Sequence, residues 1–274
     1  MYKAPIRLKS LYDIMHKYTY FIFDCDGVIF RFTDVIGNSF KILDQLHENG
    51  KKFYICTNNS KRGTEEIIQR FANAGYNLPK PNCISTPYLS SQYLLKKSLS
   101  SSIYLLGVPA FQKELESYGL SIWKSEGNKT ISVKDVSTVV CGFDPEFCYK
   151  KLEIATRLIR EGAEFVVADT DAYFKIGGTK FPGAAFVSYT IELTTGIKPT
   201  TIGKPSTFAF TYIIERDQLE EDKTKYVMIG DSLKTDIAFG INSGIDTILV
   251  LSGVTNIDAL ETSDIKPTYI LDSL

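Results

Sequence analysis

The feature that most constrains the fold is a local pattern that recurs along the chain. A helix-like run ends in glycine and a β-rich run follows at once, as at Gly50 before KKFYICT, Gly162 before AEFVVADT and Gly244 before IDTILVL. Glycine adopts the left-handed conformation after a helix end at low cost, so these positions predict helix stops. The alternation of helices with short apolar strands predicts an α/β fold with a parallel sheet covered by helices.

Short apolar runs locate the strands of this sheet. They predict strands at Tyr18–Asp24, Lys52–Thr57, Ser102–Val108, Thr138–Phe143, Glu164–Thr170, Lys225–Gly230 and Thr247–Leu251. Two helix starts are also predicted. Thr64 before two glutamates offers a capping hydroxyl, and Asp144-Pro145-Glu146 offers a cap, a proline at the first helical position and a first-turn acid.

Unusual polar residues follow four of the predicted strands or lie in adjacent turns. They are Asp24 and Asp26 in FIFDCDG, Thr57, Asn58 and Asn59 in FYICTNNS, Lys204 in TIGKPS, and Asp231 and Asp236 in YVMIGDSLKTD. In an open parallel sheet, ligands bind beyond the carboxyl ends of the strands. We therefore expect these acids, amides, hydroxyl and amine to meet at one edge of the sheet.

This set of side chains suits magnesium-assisted phosphoryl transfer. Mg²⁺ prefers hard oxygen ligands, and Asp24, Asp231 and a main-chain carbonyl are candidate ligands. Thr57, Asn58 and nearby backbone N–H groups are candidate donors to a phosphate. Lys204 can neutralise charge on the transferring group, and an aspartate can act as the nucleophile. Such transfer depends mainly on positioning and charge stabilisation, so it needs no histidine.

Four motifs carry a family resemblance. DCDG at 24–27, CTNNS at 56–60, GKPS at 203–206 and GDSLKTD at 230–236 resemble, in the same order, the four motifs of the haloacid dehalogenase (HAD) superfamily phosphatases. The tail ILVLSGVT and the forms TNNS, GKPS and GDxxxTDI are similar to one branch of that superfamily. It is the branch of NagD-like phosphatases and of p-nitrophenylphosphatase and phosphoglycolate phosphatase enzymes. The resemblance implies the HAD fold, which has a Rossmann-like parallel sheet core.

The resemblance also implies catalytic roles. Asp24 would attack phosphorus and form an aspartyl-phosphate. Asp26 would protonate the leaving group and later activate water. Lys204 would hold the charges of the nucleophile and the phosphate together.

The metal site follows from the same resemblance. Asp24, the main-chain carbonyl of Asp26, and Asp231 would bind Mg²⁺, and Asp236 would act through a metal-bound water or Lys204. For Asp236 the start of a helix at Thr235-Asp236 is a competing interpretation.

Thr57 and Asn58 would bind the phosphate. Asn59 is assigned to substrate binding, with turn chemistry as its alternative. Asp171 is assigned as a substrate contact, with an exposed loop acid as its alternative. Where the family often has a TNPD-like segment, this chain has ADTD, and it has VIGNS where relatives often have Pro-Gly. These departures leave the substrate open.

The stretch between Ser60 and Lys204 is too long for one strand-helix unit and is predicted to hold a separate domain. By resemblance it is an inserted α/β cap domain of the C2 type, which would cover the site and exclude water. The domain prediction is residues 1–84 for the first part of the core, 85–196 for the cap and 197–274 for the second part of the core. The resemblance allows a homodimer through the cap.

Composition limits the partners. The 274 residues carry a formal net charge of -1, so no bulk positive field exists for nucleic acid or an anionic membrane. No stretch resembles a spanning helix or a signal peptide. Five cysteines without a CxxC pair predict reduced thiols in a cytoplasmic protein.

We therefore predict a Mg²⁺-dependent phosphatase acting on small phosphate esters such as p-nitrophenyl phosphate and phosphoglycolate. Two alternatives are a phosphotransferase or phosphomutase on the same core, and a phosphoaspartate signalling receiver. The DxD spacing and the large insertion disfavour the receiver, which needs neither.

Overall fold

The structure, a computed structural model, describes residues 4–97, 101–124, 131–176 and 179–274. Its strands are β1 (Ile6–Arg7), β2 (Tyr20–Phe23), β3 (Phe30–Arg31), β4 (Asp34–Val35), β5 (Lys52–Thr57), β6 (Cys83–Ser85), β7 (Ser102–Leu106), β8 (Val136–Cys141), β9 (Glu164–Val167), β10 (Tyr173–Ile176), β11 (Thr179–Pro182), β12 (Thr200–Thr201), β13 (Tyr226–Gly230), β14 (Asp246–Val250) and β15 (Tyr269–Leu271). Its α-helices are α1 (Ser39–Glu48), α2 (Thr64–Asn73), α3 (Thr86–Lys96), α4 (Pro109–Ser117), α5 (Tyr149–Arg160), α6 (Ala185–Thr195), α7 (Phe208–Asp217), α8 (Ala238–Ser243) and α9 (Ile257–Thr262). Within the described ranges, no helix combines the length and the apolar character that a membrane crossing requires.

The chain divides into two compact units. The first unit comprises Met1–Thr57, Ile67–Ile84 and Lys204–Leu274, and the second comprises Asn58–Glu66 and Ser85–Gly203. Each unit contains its own parallel sheet. The predicted domain boundaries at residues 84 and 196 remain a prediction.

The first unit is built on a seven-stranded sheet in the order β1-β15-β14-β13-β2-β5-β6. The pairs from β1 through β5 in that order are parallel. The central strands β2 and β13 are buried along their whole length and read YFIF and YVMIG. Such continuous apolar runs are typical of parallel strands that are covered on both faces. The predicted α/β class with a parallel sheet core is therefore confirmed.

The main core of the first unit joins this sheet to its helices. Phe21, Phe23 and Ile229 from the central strands pack in one buried cluster with Leu43 of α1 and Phe71 of α2. A short hairpin, β3–β4, follows β2 directly and contributes the buried ring of Phe30 to the same cluster. The hairpin thus holds the segment after β2 against the core.

The second unit is built on a four-stranded parallel sheet in the order β12-β9-β8-β7. Its core combines Val139 and Phe165 of the sheet with Leu158 of α5 and Val187 of α6. Trp123 packs against this core. The strands β10 and β11 form a separate antiparallel pair in the same unit.

The seven predicted strands are all present, with ends that differ by at most a few residues. The predicted helix start at Asp144 is wrong, because α5 begins at Tyr149. Asp144 instead accepts the N–H of Glu146 at 3.0 Å in a turn and pairs with Lys151 at 2.7 Å. At the start of α2, the expected capping hydroxyl of Thr64 donates to Glu114 at 2.7 Å, and Glu114 also accepts the Thr64 N–H at 2.9 Å.

Candidate active site

Three neighbouring strands of the first unit end at the same edge with polar residues. β2 lies between β13 and β5, and both pairings are parallel. Asp24 follows the end of β2, Thr57 is the last residue of β5, and Asp231 follows the end of β13. All three are buried. Parallel pairing brings their carboxyl ends together, as the sequence predicted.

Lys204 is the centre of this edge. Its side chain is 1% exposed, and its Nζ lies 2.6 Å from Oδ1 of Asp24 and 2.6 Å from Oδ1 of Asp236. It also donates to the carbonyl oxygen of Cys56 at 2.8 Å. Burying an ammonium group requires such compensation, because the charge loses its hydration. Lys204 therefore contacts the residue that follows β2, the main chain of β5 and the turn after β13.

The two carboxylate oxygens of Asp236 make different contacts. Its Oδ2 accepts the N–H groups of Asp231 at 3.1 Å and Ser232 at 3.0 Å, while its Oδ1 pairs with Lys204. It lies in a π-helical turn, Leu233–Ile237, that leads into α8. The competing helix-start interpretation of Asp236 is wrong, because the residue lies inside this turn and its carboxylate accepts N–H groups of preceding residues, whereas its contact with Lys204 is present.

Asp231 is held by the backbone around it. Its Oδ2 accepts the N–H of Val254 at 2.7 Å. A Cβ on Gly253 would lie 1.8 Å from that oxygen, and one on Gly27 would lie 2.2 Å from it. Gly27 also has φ +93°, which favours glycine. Both glycines are needed for this carboxylate to occupy its place, and the role of Gly253 was not visible in the sequence.

The carboxylates of Asp24, Asp231 and Asp236 form a group that fits a metal ion. One oxygen from each lies within 4.8 Å of the others, and all three side chains are buried. The donors are all carboxylate oxygens, which suit a hard divalent cation. When ionised, three carboxylates and Lys204 leave two uncompensated negative charges, and a divalent cation would balance them. The residues present therefore fit a divalent metal.

Burial and neighbouring charges raise the pKa values of Asp24 and Asp231. Burial raises the pKa of Asp24 to about 7, the nearby charge of Lys204 opposes that rise, and the charge of Asp236 adds to it. Burial also raises the pKa of Asp231 well above its usual value, with further contributions from Asp236 and Asp24. Burial alone would lower the pKa of Lys204, but the charges of Asp236 and Asp24 outweigh it and hold that pKa well above its usual value. The lysine is therefore a permanent cation in this site.

The carboxylate of Asp26 forms an ion pair that the sequence did not predict. Its Oδ1 lies 2.7 Å from Nη1 of Arg70, which comes from α2. The Asp26 side chain is 45% exposed, whereas that of Asp24 is 11% exposed. The two acids of DCDG thus differ in environment, and the exposed one has a basic partner.

The remaining predicted binding residues lie in the second unit. Nδ2 of Asn58 donates to Oδ1 of Asp171 at 3.3 Å. Oδ1 of Asn59 accepts the N–H of Lys61 at 3.1 Å, so Asn59 makes the turn that was its alternative role. Asp171 is half-buried in the described chain and is not a fully exposed loop acid.

Asp169 is a buried acid next to Asp171 that was not assigned a role. Its Oδ1 accepts the N–H of Asp171 at 3.3 Å, and its side chain is hydrogen-bonded to Ser60. Burial, followed by the charge of Asp171, raises the pKa of Asp169 to about 8. Ser60 also accepts the N–H of Phe143 at 2.9 Å. This network fixes the ADTD segment against the segment that follows Asn59.

Two protein-family models match the chain. A model described as haloacid dehalogenase-like hydrolase matches residues 21–121, and one described as HAD-hydrolase-like matches residues 201–274. Together they include every residue of the Lys204 cluster.

Curated proteins of similar sequence are phosphatases. Phosphoglycolate phosphatase 1A, chloroplastic, of Arabidopsis thaliana is 32% identical over 96% of this chain and 76% of that protein. An acid sugar phosphatase of Staphylococcus epidermidis is 29% identical over 95% of this chain and 96% of that protein.

Solved structures show the same architecture. The 4-nitrophenylphosphatase of Thermotoga maritima superposes with a TM-score of 0.84 at 30% identity, covering 95% of this chain and 96% of that one. NagD of E. coli K-12 superposes with a TM-score of 0.79 at 25% identity, covering 94% of this chain and 97% of that one.

Proposed function

Because this chain belongs to the haloacid dehalogenase-like hydrolases and is a phosphatase of that family, we propose that it hydrolyses small phosphate monoesters through a phosphoaspartate on Asp24, with Mg²⁺ as cofactor. The predicted resemblance to the NagD and p-nitrophenylphosphatase branch is confirmed by the matches above. The observation that carries the proposal is the buried cluster of Asp24, Asp231 and Asp236 around Lys204. It supplies a nucleophile, a cation and a candidate metal site within one small volume.

The chemistry assigned to the chain has two steps. In the first, an oxygen of Asp24 bonds to phosphorus, the bond from phosphorus to the ester oxygen breaks, and Asp26 gives its proton to the leaving oxygen. In the second, Asp26 takes a proton from water, the water oxygen bonds to phosphorus, and the Asp24 carboxylate is released. The different exposures of the two acids support this division, because the half-exposed Asp26 can exchange protons with solvent.

Lys204 and Asp236 support the nucleophile. The ammonium group at 2.6 Å from Oδ1 of Asp24 holds that carboxylate in place and offsets the negative charge that a phosphate brings. Asp236, at 2.6 Å on the other side of the ammonium group, orients Lys204. Asp236 thus acts on the reaction through Lys204.

We assign the divalent cation to Asp24, Asp231 and the main-chain carbonyl of Asp26. When bound, Mg²⁺ would supply positive charge to the phosphoryl oxygens. Asp231 supports this assignment because the Val254 N–H and two glycines hold its carboxylate beside the others.

We assign phosphate binding to Thr57 and Asn58, since Thr57 ends β5 at the catalytic edge and Asn58 follows it. Asn59 is proposed as an additional phosphate contact through atoms other than the Oδ1 that accepts the N–H of Lys61. Asp171 is proposed to contact the leaving group, supported by its hydrogen bond to Asn58. Residues 85–196 are proposed to act as the C2-type cap, supported by the separate sheet and core of the second unit.

The proposed substrates are small phosphorylated metabolites. Relatives carry the names phosphoglycolate phosphatase, acid sugar phosphatase and 4-nitrophenylphosphatase. We propose p-nitrophenyl phosphate and phosphoglycolate as first substrates, and no nucleic acid, since the net charge is -1.

We further propose a cytoplasmic protein that forms a homodimer through the cap. The cytoplasmic assignment is supported by the five cysteines, which all carry free thiols. Size-exclusion chromatography with light scattering would test the dimer.

The proposal is tested by phosphate release from p-nitrophenyl phosphate and phosphoglycolate, with Mg²⁺ and with a chelator. We expect turnover only with the cation, and Asp24→Asn should lose most of it, while Asp44→Asn on the exposed face of α1 should not. Transfer of the phosphoryl group to an added sugar in place of water would favour the phosphotransferase or phosphomutase alternative. A stable phosphoaspartate without turnover would favour the signalling receiver and overturn the proposal.

A further inference from the structure

Arg70 binds two parts of the segment that follows β2. Its Nη1 donates to Oδ1 of Asp26 at 2.7 Å, and its other terminal nitrogen donates to the carbonyl oxygen of Phe32. Phe32 is at the tip of the β3–β4 hairpin and has φ +57°. A single guanidinium group therefore joins the Asp26 carboxylate to the hairpin tip.

The guanidinium group is itself held in place. Its Cζ lies 4.2 Å from the centre of the Phe30 ring, and the Arg70 side chain is 13% exposed. The Phe30 ring is fully buried and packs edge-on against Phe71, the residue after Arg70, at 4.8 Å. A planar guanidinium that stacks on a fixed ring has little freedom to follow a moving carboxylate.

The Asp26 carboxylate is 45% exposed, and an aspartate side chain has several rotamers available to it. Proton transfer requires the donor within hydrogen-bond reach of the leaving oxygen, and small displacements cost rate. We propose that Arg70 is a positioning residue that holds the Asp26 carboxyl group in one rotamer for proton transfer to the leaving group. This inference rests on the proposed role of Asp26 and adds a residue outside all four motifs.

A purely structural role predicts something different. If Arg70 only anchors the hairpin, its loss affects all substrates alike and lowers stability. If it acts through Asp26, its loss affects most the esters whose leaving oxygen needs a proton. Nitrophenolate leaves readily without protonation, whereas an alkoxide does not.

The first test compares kcat/KM for 4-nitrophenyl phosphate and for an alkyl phosphate in wild type, Arg70→Gln and Arg70→Lys. For Arg70→Gln we expect a loss of roughly tenfold to a hundredfold on the alkyl ester, mainly in kcat, and a clearly smaller loss on the nitrophenyl ester. Arg70→Lys should recover only part of it, because one ammonium cannot bind both acceptors in the fork geometry of arginine. Arg31→Gln is the matched control. Arg31 belongs to the same hairpin and donates to the carbonyl oxygen of Ser252 at 2.8 Å, without contacting Asp26. Its replacement should leave the ratio of kcat/KM between the two esters unchanged.

The second test is a double-mutant cycle with Asp26→Asn. If Arg70 acts through Asp26, Arg70→Gln should have almost no further effect on the alkyl ester once Asp26 is replaced. Additive losses in the cycle, or equal losses on both esters, would overturn the proposal.

A crystal structure of Arg70→Gln separates this proposal from the proposed function. We expect the Asp26 carboxylate to occupy more than one rotamer in the variant, whether or not the protein hydrolyses the chosen esters. An unchanged single rotamer would overturn the positioning role, while a wild type that hydrolyses no ester would overturn the proposed function alone.

Discussion

Nζ of Lys204 lies 2.6 Å from Oδ1 of Asp24, although the two residues are 180 positions apart in the chain. The lysine is buried, and a second carboxylate, that of Asp236, lies at the same distance on its other side. The proposed nucleophile is thus held by a cation that is itself held by an acid. This arrangement makes the site sensitive to each of its three members.

Replacing Lys204 by Met should damage both activity and stability. The change leaves the buried carboxylates of Asp24 and Asp236 without their cation, so we expect the free energy of unfolding to fall by about 3 kcal/mol or more in a chelator. Lys225→Met is the control, because Lys225 forms an exposed ion pair with Glu220 that solvent screens, so its loss should change the free energy of unfolding far less. Urea unfolding of both variants measures the difference, and equal losses would contradict the role of Lys204.

A divalent cation should stabilise the protein through Asp231. Adding Mg²⁺ at about 100 times its dissociation constant should stabilise the folded state by roughly 2.7 kcal/mol, visible as a higher Tm. Asp231→Asn should remove most of this shift, since it removes one carboxylate of the group. Asp26→Asn should keep it, because only the main chain of that residue is assigned to the cation. A full shift in Asp231→Asn would place the cation elsewhere.

Gly253→Ala should impair the site by steric contact alone. The added Cβ would lie 1.8 Å from Oδ2 of Asp231, so the carboxylate must leave the Val254 N–H or the loop must move. We expect kcat to fall at least tenfold and stability to fall by roughly 1–3 kcal/mol. Val254→Ala keeps the backbone N–H and truncates an exposed side chain, so its steady-state kinetics should match those of wild type. A fully active Gly253→Ala enzyme would show that Asp231 can work from another position.

Asp246 should contribute stability that depends on pH. Partial burial raises its pKa, but hydrogen bonds from Lys17, Tyr18 and Thr268 outweigh this and hold the pKa below its usual value. Its contribution is therefore complete above the pKa of the unfolded chain, near 4, and is lost as pH falls through the lower folded value. At pH 7 we expect Asp246→Asn to cost about 0.5–1 kcal/mol, a value reduced for solvent screening at a half-exposed group.

Urea unfolding at pH 7 and pH 3 checks this expectation. The difference between wild type and Asp246→Asn should shrink at pH 3, whereas exposed Asp258→Asn on α9 should show little difference at either pH. A constant difference would mean that packing, and not the charge of Asp246, provides the stabilisation.

Much of the fold follows from local sequence. A strand that is buried on both faces needs an unbroken apolar run, so YFIF and YVMIG identify β2 and β13. Parallel pairing then requires their carboxyl ends to share one edge, which places Asp24 and Asp231 there before any coordinates exist. Local signals failed at Asp144, because a short acid next to proline closes a turn as readily as it starts a helix.

Two relationships in the site were decided only by tertiary structure. Asp26 meets Arg70 across 44 positions of the chain, and Asp231 fits its place because Gly253 has no side chain. Arg70 appears in the sequence as an ordinary residue near the end of an amphipathic helix. Propensity and periodicity depend on neighbours a few residues apart, whereas these contacts depend on how helices and loops pack over the sheet. The amino-acid order therefore determined which chemistry the chain can perform, and packing decided which side chains hold its acids in position.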